Sequence, residues 1–231
     1  MKKHFLRFTA SLFCFILFSS IAAAQVAPPK EENKREADLL ELVKLDKTIK
    51  LDIRYARPDN FVGKPVYTEA RAFLQRPAAE AVLRVHQKLR EKGLGLVIFD
   101  GYRPWAITKL FWEVVREDQK KFVADPAKGS KHNRGCAVDL SIYDLKTGKL
   151  VEMPSDFDEF TERASPDYKG GTETERANRD LLRKLMEAEG FTVNANEWWH
   201  FDYKDWQEYT IYDIPFSDIK AEKKKSKKTK Q

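Results

Sequence analysis

Seven residues from Cys136 to Ile142 (CAVDLSI) set the strongest constraint on how this chain can fold. Side chains alternate along an extended segment, so Cys136, Val138, Leu140 and Ile142 share one face and Ala137, Asp139 and Ser141 the other. Asp139 points away from the more apolar face, yet it sits in the middle of an apolar strand. A buried carboxylate without a partner is costly. The fold must therefore bring Asp139 a counter-charge from elsewhere in the chain. A metal cation is one candidate and an arginine is the other.

The rest of the chain supplies mixed elements around that strand. Ala37 to Val43 reads as a short helix, and Ile49 to Tyr55 (IKLDIRY) alternates like a strand with one buried face. Ala78, Val82, Val85 and Leu89 recur at helical spacing in a segment from Ala78 to Lys92 that Gly93 ends. Leu94 to Phe99 is a continuous apolar run that stops at Asp100-Gly101, which predicts a buried strand. Pro104 opens a predicted helix reaching about Lys120, and Asp125 to Arg134 has loop chemistry. Cys136–Ile142 and Lys149–Met153 read as a hairpin across Thr147-Gly148, and Glu173–Glu189 as a helix closed by Gly190. Phe191–Val193 and Trp198–Tyr203 are rich in aromatic and β-branched residues, which favours strands. No internal repeat and no regular βαβ alternation is visible. The expected class is α+β: a single domain with a small mixed or antiparallel sheet flanked by helices.

The ends of the chain have their own signatures. Residues 1–24 combine a basic start (Lys2, Lys3, Arg7), an apolar run from Phe8 to Ile21 and Ala22-Ala23-Ala24, the three parts of a secretory signal peptide. The run is short for a membrane span, which needs about 20 residues. Cleavage after Ala24 predicts a secreted, periplasmic protein. Residues 25–35 (with VAPPKEENK) read as a linker, 36–219 as the domain, and 220–231 as a disordered lysine-rich tail. Of the net charge of +6, the first 24 residues carry +3 and the tail +6, so the body is slightly acidic at −3. The basic balance thus makes no case for nucleic acid. Weak contact of the tail with an anionic surface is the sharper alternative to simple solvation. Nothing implies a stable protein partner. Cys14 lies in the signal, so Cys136 alone remains and neither a disulfide framework nor a cysteine zinc module is available.

Of the four histidines, His4 leaves with the signal and His86 lies on a helix with no other ligand type within a turn of its face, which suits a structural residue. His132, in a polar loop before the Asp139 strand, and His200, in Glu197-Trp198-Trp199-His200, differ. Positions three apart on a straight strand face opposite ways, so Glu197 and His200 can share a site only if the segment bends; Asn194-Ala195-Asn196 offers the loop. Two histidines and a carboxylate are a common catalytic zinc set with a fourth position open. A free carboxylate beside them can act as a base. An Asp139–arginine pair with two unrelated histidines would fit the same spacing, and no helical HExxH is present.

Longer stretches decide between these. Ser130-Lys131-His132-Asn133-Arg134-Gly135-Cys136-Ala137-Val138-Asp139 resembles the S-x-H-x-x-G-x-A-x-D signature of the D-Ala-D-Ala metallopeptidases, and Glu197-Trp198-Trp199-His200 their E-x-W-H signature. Within that group the chain looks like the VanX-type D-alanyl-D-alanine dipeptidases, through Asp52–Ala56 with Asn60–Gly63, Asp100–Pro104 and Met153–Asp158, in family order from about residue 45 to 215. The resemblance implies a Hedgehog/D,D-peptidase-like fold with one Zn2+ per chain on the sheet, held by His132, Asp139 and His200. It implies Glu197 as catalytic base, Arg103 as stabiliser of the oxyanion, and Asp158, Ser130 and Tyr55 as residues lining a small substrate pocket. The implied reaction is hydrolysis of the D-Ala-D-Ala dipeptide in cell-wall peptide turnover. A D,D- or L,D-carboxypeptidase and a non-catalytic zinc-bearing wall-binding module are the alternatives. Well-known members act in the cytoplasm, so the secretory signal points instead to scavenging of wall-derived dipeptide.

Overall fold

The computed structural model describes residues 27–219. The signal peptide expected over 1–24 and the tail expected over 220–231 lie outside the described residues. A five-stranded sheet carries the molecule: β2 (Lys50–Leu51), β4 (Leu94–Asp100), β5 (Ala137–Asp144), β7 (Glu197–Tyr203) and β6 (Phe191–Asn194), side by side in that order. β2 runs parallel to β4 and the other neighbours are antiparallel. A separate antiparallel pair joins β1 (Leu39–Glu41) to β3 (Phe73–Gln75). The helices are α1 (Leu42–Leu45), α2 (Arg76–Arg90), α3 (Trp105–Val114) and α4 (Glu173–Ala188). This is the expected α+β architecture. No helix among the described residues is long and apolar enough to cross a membrane.

α2 packs on β4 and α4 on β6, and the two helices touch. Their buried faces, Val82, Val85 and Leu89 on one and Leu182 and Met186 on the other, close over Leu96, Ile98, Leu140 and Phe201 of the sheet. α4 starts where Thr172 and Glu175 form a reciprocal capping box. His86 is buried in this core. Its Nδ1 accepts the Leu96 N–H at 3.1 Å and its Nε2 meets the Thr48 hydroxyl at 2.8 Å, so it ties α2 to β4 and to the turn before β2.

Several elements differ from their sequence patterns because tertiary pairing overrides local preference. Over Ala37–Val43 the chain is extended at Leu39–Glu41, where Leu40 pairs with Leu74, and α1 is a single turn beyond it. The strand expected over Ile49–Tyr55 lasts two residues. Its backbone then breaks into a 3-10 turn, Arg54–Ala56, that carries Tyr55 off the sheet edge. α3 ends at Val114, where Val115 turns extended, and a 3-10 segment, Glu117–Phe122, replaces its expected last turns. The return arm of the β5 hairpin makes one bridge, Leu150 to Tyr143, and leaves after Val151 donates to Ile142. The segment expected as a linker docks from Glu31 onward. Glu31 accepts two hydrogen bonds from Arg134 and one from the Ile211 N–H, and Arg35 bridges to Tyr209.

Candidate active site

Sheet register builds the site. Asp100 on β4 stands opposite Asp139 on β5, which stands opposite His200 on β7, so three candidate site residues form one row across three strands. A register shift between Ile98 and Asp100 brings Asp100 into that row. Glu197 begins β7 at the tight turn from β6, where a second register shift follows Val193. That irregularity resolves the parity problem: Glu197 Oε2 lies 3.8 Å from His200 Nδ1 although the two are three residues apart. Asn194 steadies the same oxygen with a 3.1 Å hydrogen bond.

His132 arrives from a 3-10 turn, His132–Arg134, just before β5. Gly135 ends that turn with φ +68°, a left-handed conformation in which a Cβ would lie 2.6 Å from the Leu39 side chain. Gly101 is constrained otherwise: a Cβ there would lie 2.7 Å from the Phe73 carbonyl oxygen. The Gly101 carbonyl accepts from His132 Nδ1 at 2.7 Å. His200 donates from Nε2 to Asp202 Oδ1 at 2.9 Å, and Lys131 holds the other Asp202 oxygen at 2.8 Å. With those ring nitrogens protonated, His132 Nε2 and His200 Nδ1 turn lone pairs toward Asp139.

The three facing atoms are close: 3.1 Å between the two ring nitrogens, 3.0 Å from His200 and 3.4 Å from His132 to Asp139 Oδ1. All three residues are buried, and Asp139 Oδ1 has no hydrogen-bond donor. Three buried acceptors in contact repel one another unless a cation lies between them. Zinc bonds of about 2.0–2.1 Å in a tetrahedron put neighbouring ligand atoms about 3.3 Å apart, so the donor set fits that ion. Of the two partners open to Asp139, the cation site is the closer fit, since Arg103 approaches only to 3.8 Å.

Arg103 is 7% exposed and is gripped from two directions. Its Nε and Nη2 reach Asp100 Oδ2 at 2.9 and 2.8 Å, and its guanidinium lies 4.8 Å from the Phe111 ring centre and 5.4 Å from that of Tyr55. Tyr67 donates to the other Asp100 oxygen. Tyr55 also donates to Asp158 Oδ2 at 3.0 Å, and Asp158 adopts φ +59°, unusual for a residue with a side chain. Ser130 is buried; its Oγ accepts the His132 N–H and its own N–H donates to Asn133, so it also braces the ligand turn. Burial pushes the Glu197 carboxyl up to about 7, with the Asp139 and Asp202 charges adding to the rise and His200 and Arg103 opposing it.

All eight residues expected at the site, His132, Asp139, His200, Glu197, Arg103, Tyr55, Ser130 and Asp158, line one cavity of about 350 Å³. That is at the small end for ligand pockets. Phe122, at the end of the 3-10 segment, and Phe160 stack beside it with centroids 4.8 Å apart and planes 6° from parallel. Asp100, Asp202 and Lys131 have positioning roles that sequence reading missed. Asp202 carried a readable signal, being two residues from His200 and hence on its face of the strand.

A family model described as D-ala-D-ala dipeptidase (Peptidase_M15) matches residues 35–222. The chain is similar to the D-alanyl-D-alanine dipeptidase of Escherichia coli, 32% identical over 180 residues that cover 78% of this chain and 92% of the relative. It is 35% identical over 188 residues to the D-alanyl-D-alanine dipeptidase of Enterococcus faecalis, covering 74% and 89%. For the protein of that name from Streptomyces coelicolor the values are 33% over 188 residues, 73% and 93%.

Proposed function

The chain belongs to the D-ala-D-ala dipeptidase family of metallopeptidases, and from that premise we propose how its own residues hydrolyse the D-alanyl-D-alanine dipeptide. His132, Asp139 and His200 hold one zinc ion per chain. The observation that carries this reading is that His132 Nε2, His200 Nδ1 and Asp139 Oδ1 lie buried 3.0–3.4 Å apart, the Asp139 oxygen without a hydrogen-bond partner. Two imidazoles and a carboxylate suit zinc. When bound, zinc supplies a Lewis acid and lowers the pKa of water.

Glu197 is placed to take the proton of the attacking water as the water oxygen bonds to the peptide carbon. It then delivers that proton to the leaving nitrogen as the C–N bond breaks. A carboxyl pushed up to about 7 by burial accepts and releases a proton readily near neutral pH. Arg103, fixed by Asp100 and two aromatic rings, donates to the carbonyl oxygen as it gains charge. Its immobility means little reorganisation is needed when the charge develops. Asp158, with Tyr55, receives the ammonium end of the dipeptide, and Ser130 lines the wall beside His132. The products are two D-alanines.

Residues 1–24 support export, and hence action on wall-derived dipeptide in the periplasm, with the lysine tail available for weak contact with anionic polymer. The test is metal analysis of the purified protein together with an assay of free D-Ala-D-Ala against a D-Ala-D-Ala-terminated pentapeptide. One zinc per chain and preference for the dipeptide are expected. Preference for the pentapeptide would transfer the chain to the carboxypeptidases.

A further inference from the structure

Five cationic side chains line the cavity: Arg103, Lys121, Lys128, Lys131 and Arg134. Three are already neutralised by carboxylates at hydrogen-bond distance, Arg103 by Asp100, Lys131 by Asp202 and Arg134 by Glu31, each at 2.8 Å. Lys121 and Lys128 have no carboxylate within 4 Å among the described residues. A dipeptide is a zwitterion, and the acidic groups of the cavity answer only its ammonium. Its α-carboxylate needs a cation that is not already engaged.

The two lysines are not equivalent. Lys121 belongs to the 3-10 segment Glu117–Phe122 and lies 5.0 Å from the centre of the Phe122 ring. Lys128 sits on a turn organised by Asp125, whose carbonyl accepts both the Lys128 and Gly129 N–H groups and whose carboxylate accepts that of Ala127. Gly129 follows at φ +69°, close against Ile211, and Ser130 is tied to Asn133. The backbone is thus pinned from Asp125 through the ligand turn at His132, and the Lys128 stem leaves a fixed point.

We propose that Lys128 receives the terminal carboxylate of the dipeptide. This rests on the dipeptidase reading above. It adds a recognition residue at the end of the substrate opposite the ammonium, and it selects dipeptides that carry both charges.

The experiment compares D-Ala-D-Ala with its C-terminal amide on the zinc-loaded full chain and on Lys128→Met, Lys128→Arg and Lys121→Met. The parent should favour the acid. Lys128→Met should raise KM for the acid about tenfold, the scale of one charged hydrogen bond, leave kcat nearly unchanged, and leave the amide unaffected. Lys128→Arg should restore most of the preference, and Lys121→Met should change it less than Lys128→Met. Dipeptide titration against Glu197→Gln, with and without Lys128→Met, should show the same tenfold loss without turnover. A Lys128→Met enzyme that keeps the parent's preference for acid over amide overturns the assignment. A parent that cleaves neither compound defeats the dipeptidase reading itself, a separate failure.

Discussion

At the scale of single residues, the proposed reaction separates groups that would touch the substrate from groups that would aim them. Glu197→Gln should keep zinc and lose several orders of magnitude in kcat, because the base is gone while the ligand row is intact; turnover near parental would remove the base assignment. His200→Ala should lose the metal, checked by metal analysis after dialysis. Asp202→Asn tests the aiming. It weakens the acceptor that fixes the His200 tautomer, and zinc affinity should fall about 10–100-fold, read by competition with a chelator. Unchanged affinity would show that the Asp202 contact orients nothing. That Asp139 needs a partner was legible in the sequence, because a carboxylate inside an apolar strand is costly alone; that the partner is a cation shared with His132 and His200 was implied only by the family resemblance. Asp100 was not legible as the residue that aims Arg103, since its place in the row comes from a register shift that no local pattern announces. Nor was the Gly101 carbonyl, a backbone atom that meets His132 only through tertiary packing.

At the scale of elements, long periodic segments followed their patterns and short ones followed their neighbours. α2, α4, β4, β5 and β7 formed where hydrophobic spacing placed them. β1 formed where a helix was expected: Leu39–Glu41 pairs in register with β3, and a helix of so few residues is marginal on its own. His86 shows how one buried side chain joins such elements. Burial holds its pKa below the ordinary histidine value, against the pull of Asp46, and its Nδ1 must stay unprotonated to accept from Leu96. The unfolded chain binds a proton near pH 6.5 and the folded chain does not. Stability from this group is therefore complete above about pH 6.5 and declines as pH falls toward the lowered folded value. Thermal midpoints between pH 7.5 and 5 should show that decline, and His86→Gln should flatten it. An identical slope in the variant would assign the pH dependence elsewhere.

At the scale of the whole molecule, the amino-terminal strap belongs to the folded body. Glu31 answers Arg134, whose guanidinium is buried beside Trp206, and both Arg134 and Trp206 line the cavity. Glu31→Ala should cost about 2 kcal/mol in chemical denaturation, the scale of a charged hydrogen-bonded pair left with one member. A loss under a few tenths would show that the strap is dispensable. The row of Asp100, Asp139 and His200 carries a consequence for folding as well as for chemistry. A slip of one residue between β5 and β7 would turn His200 to the opposite side of the sheet and empty the centre of one donor. Misthreaded chains are consequently silent, not merely sluggish, and zinc uptake by a refolded sample counts its correctly woven molecules.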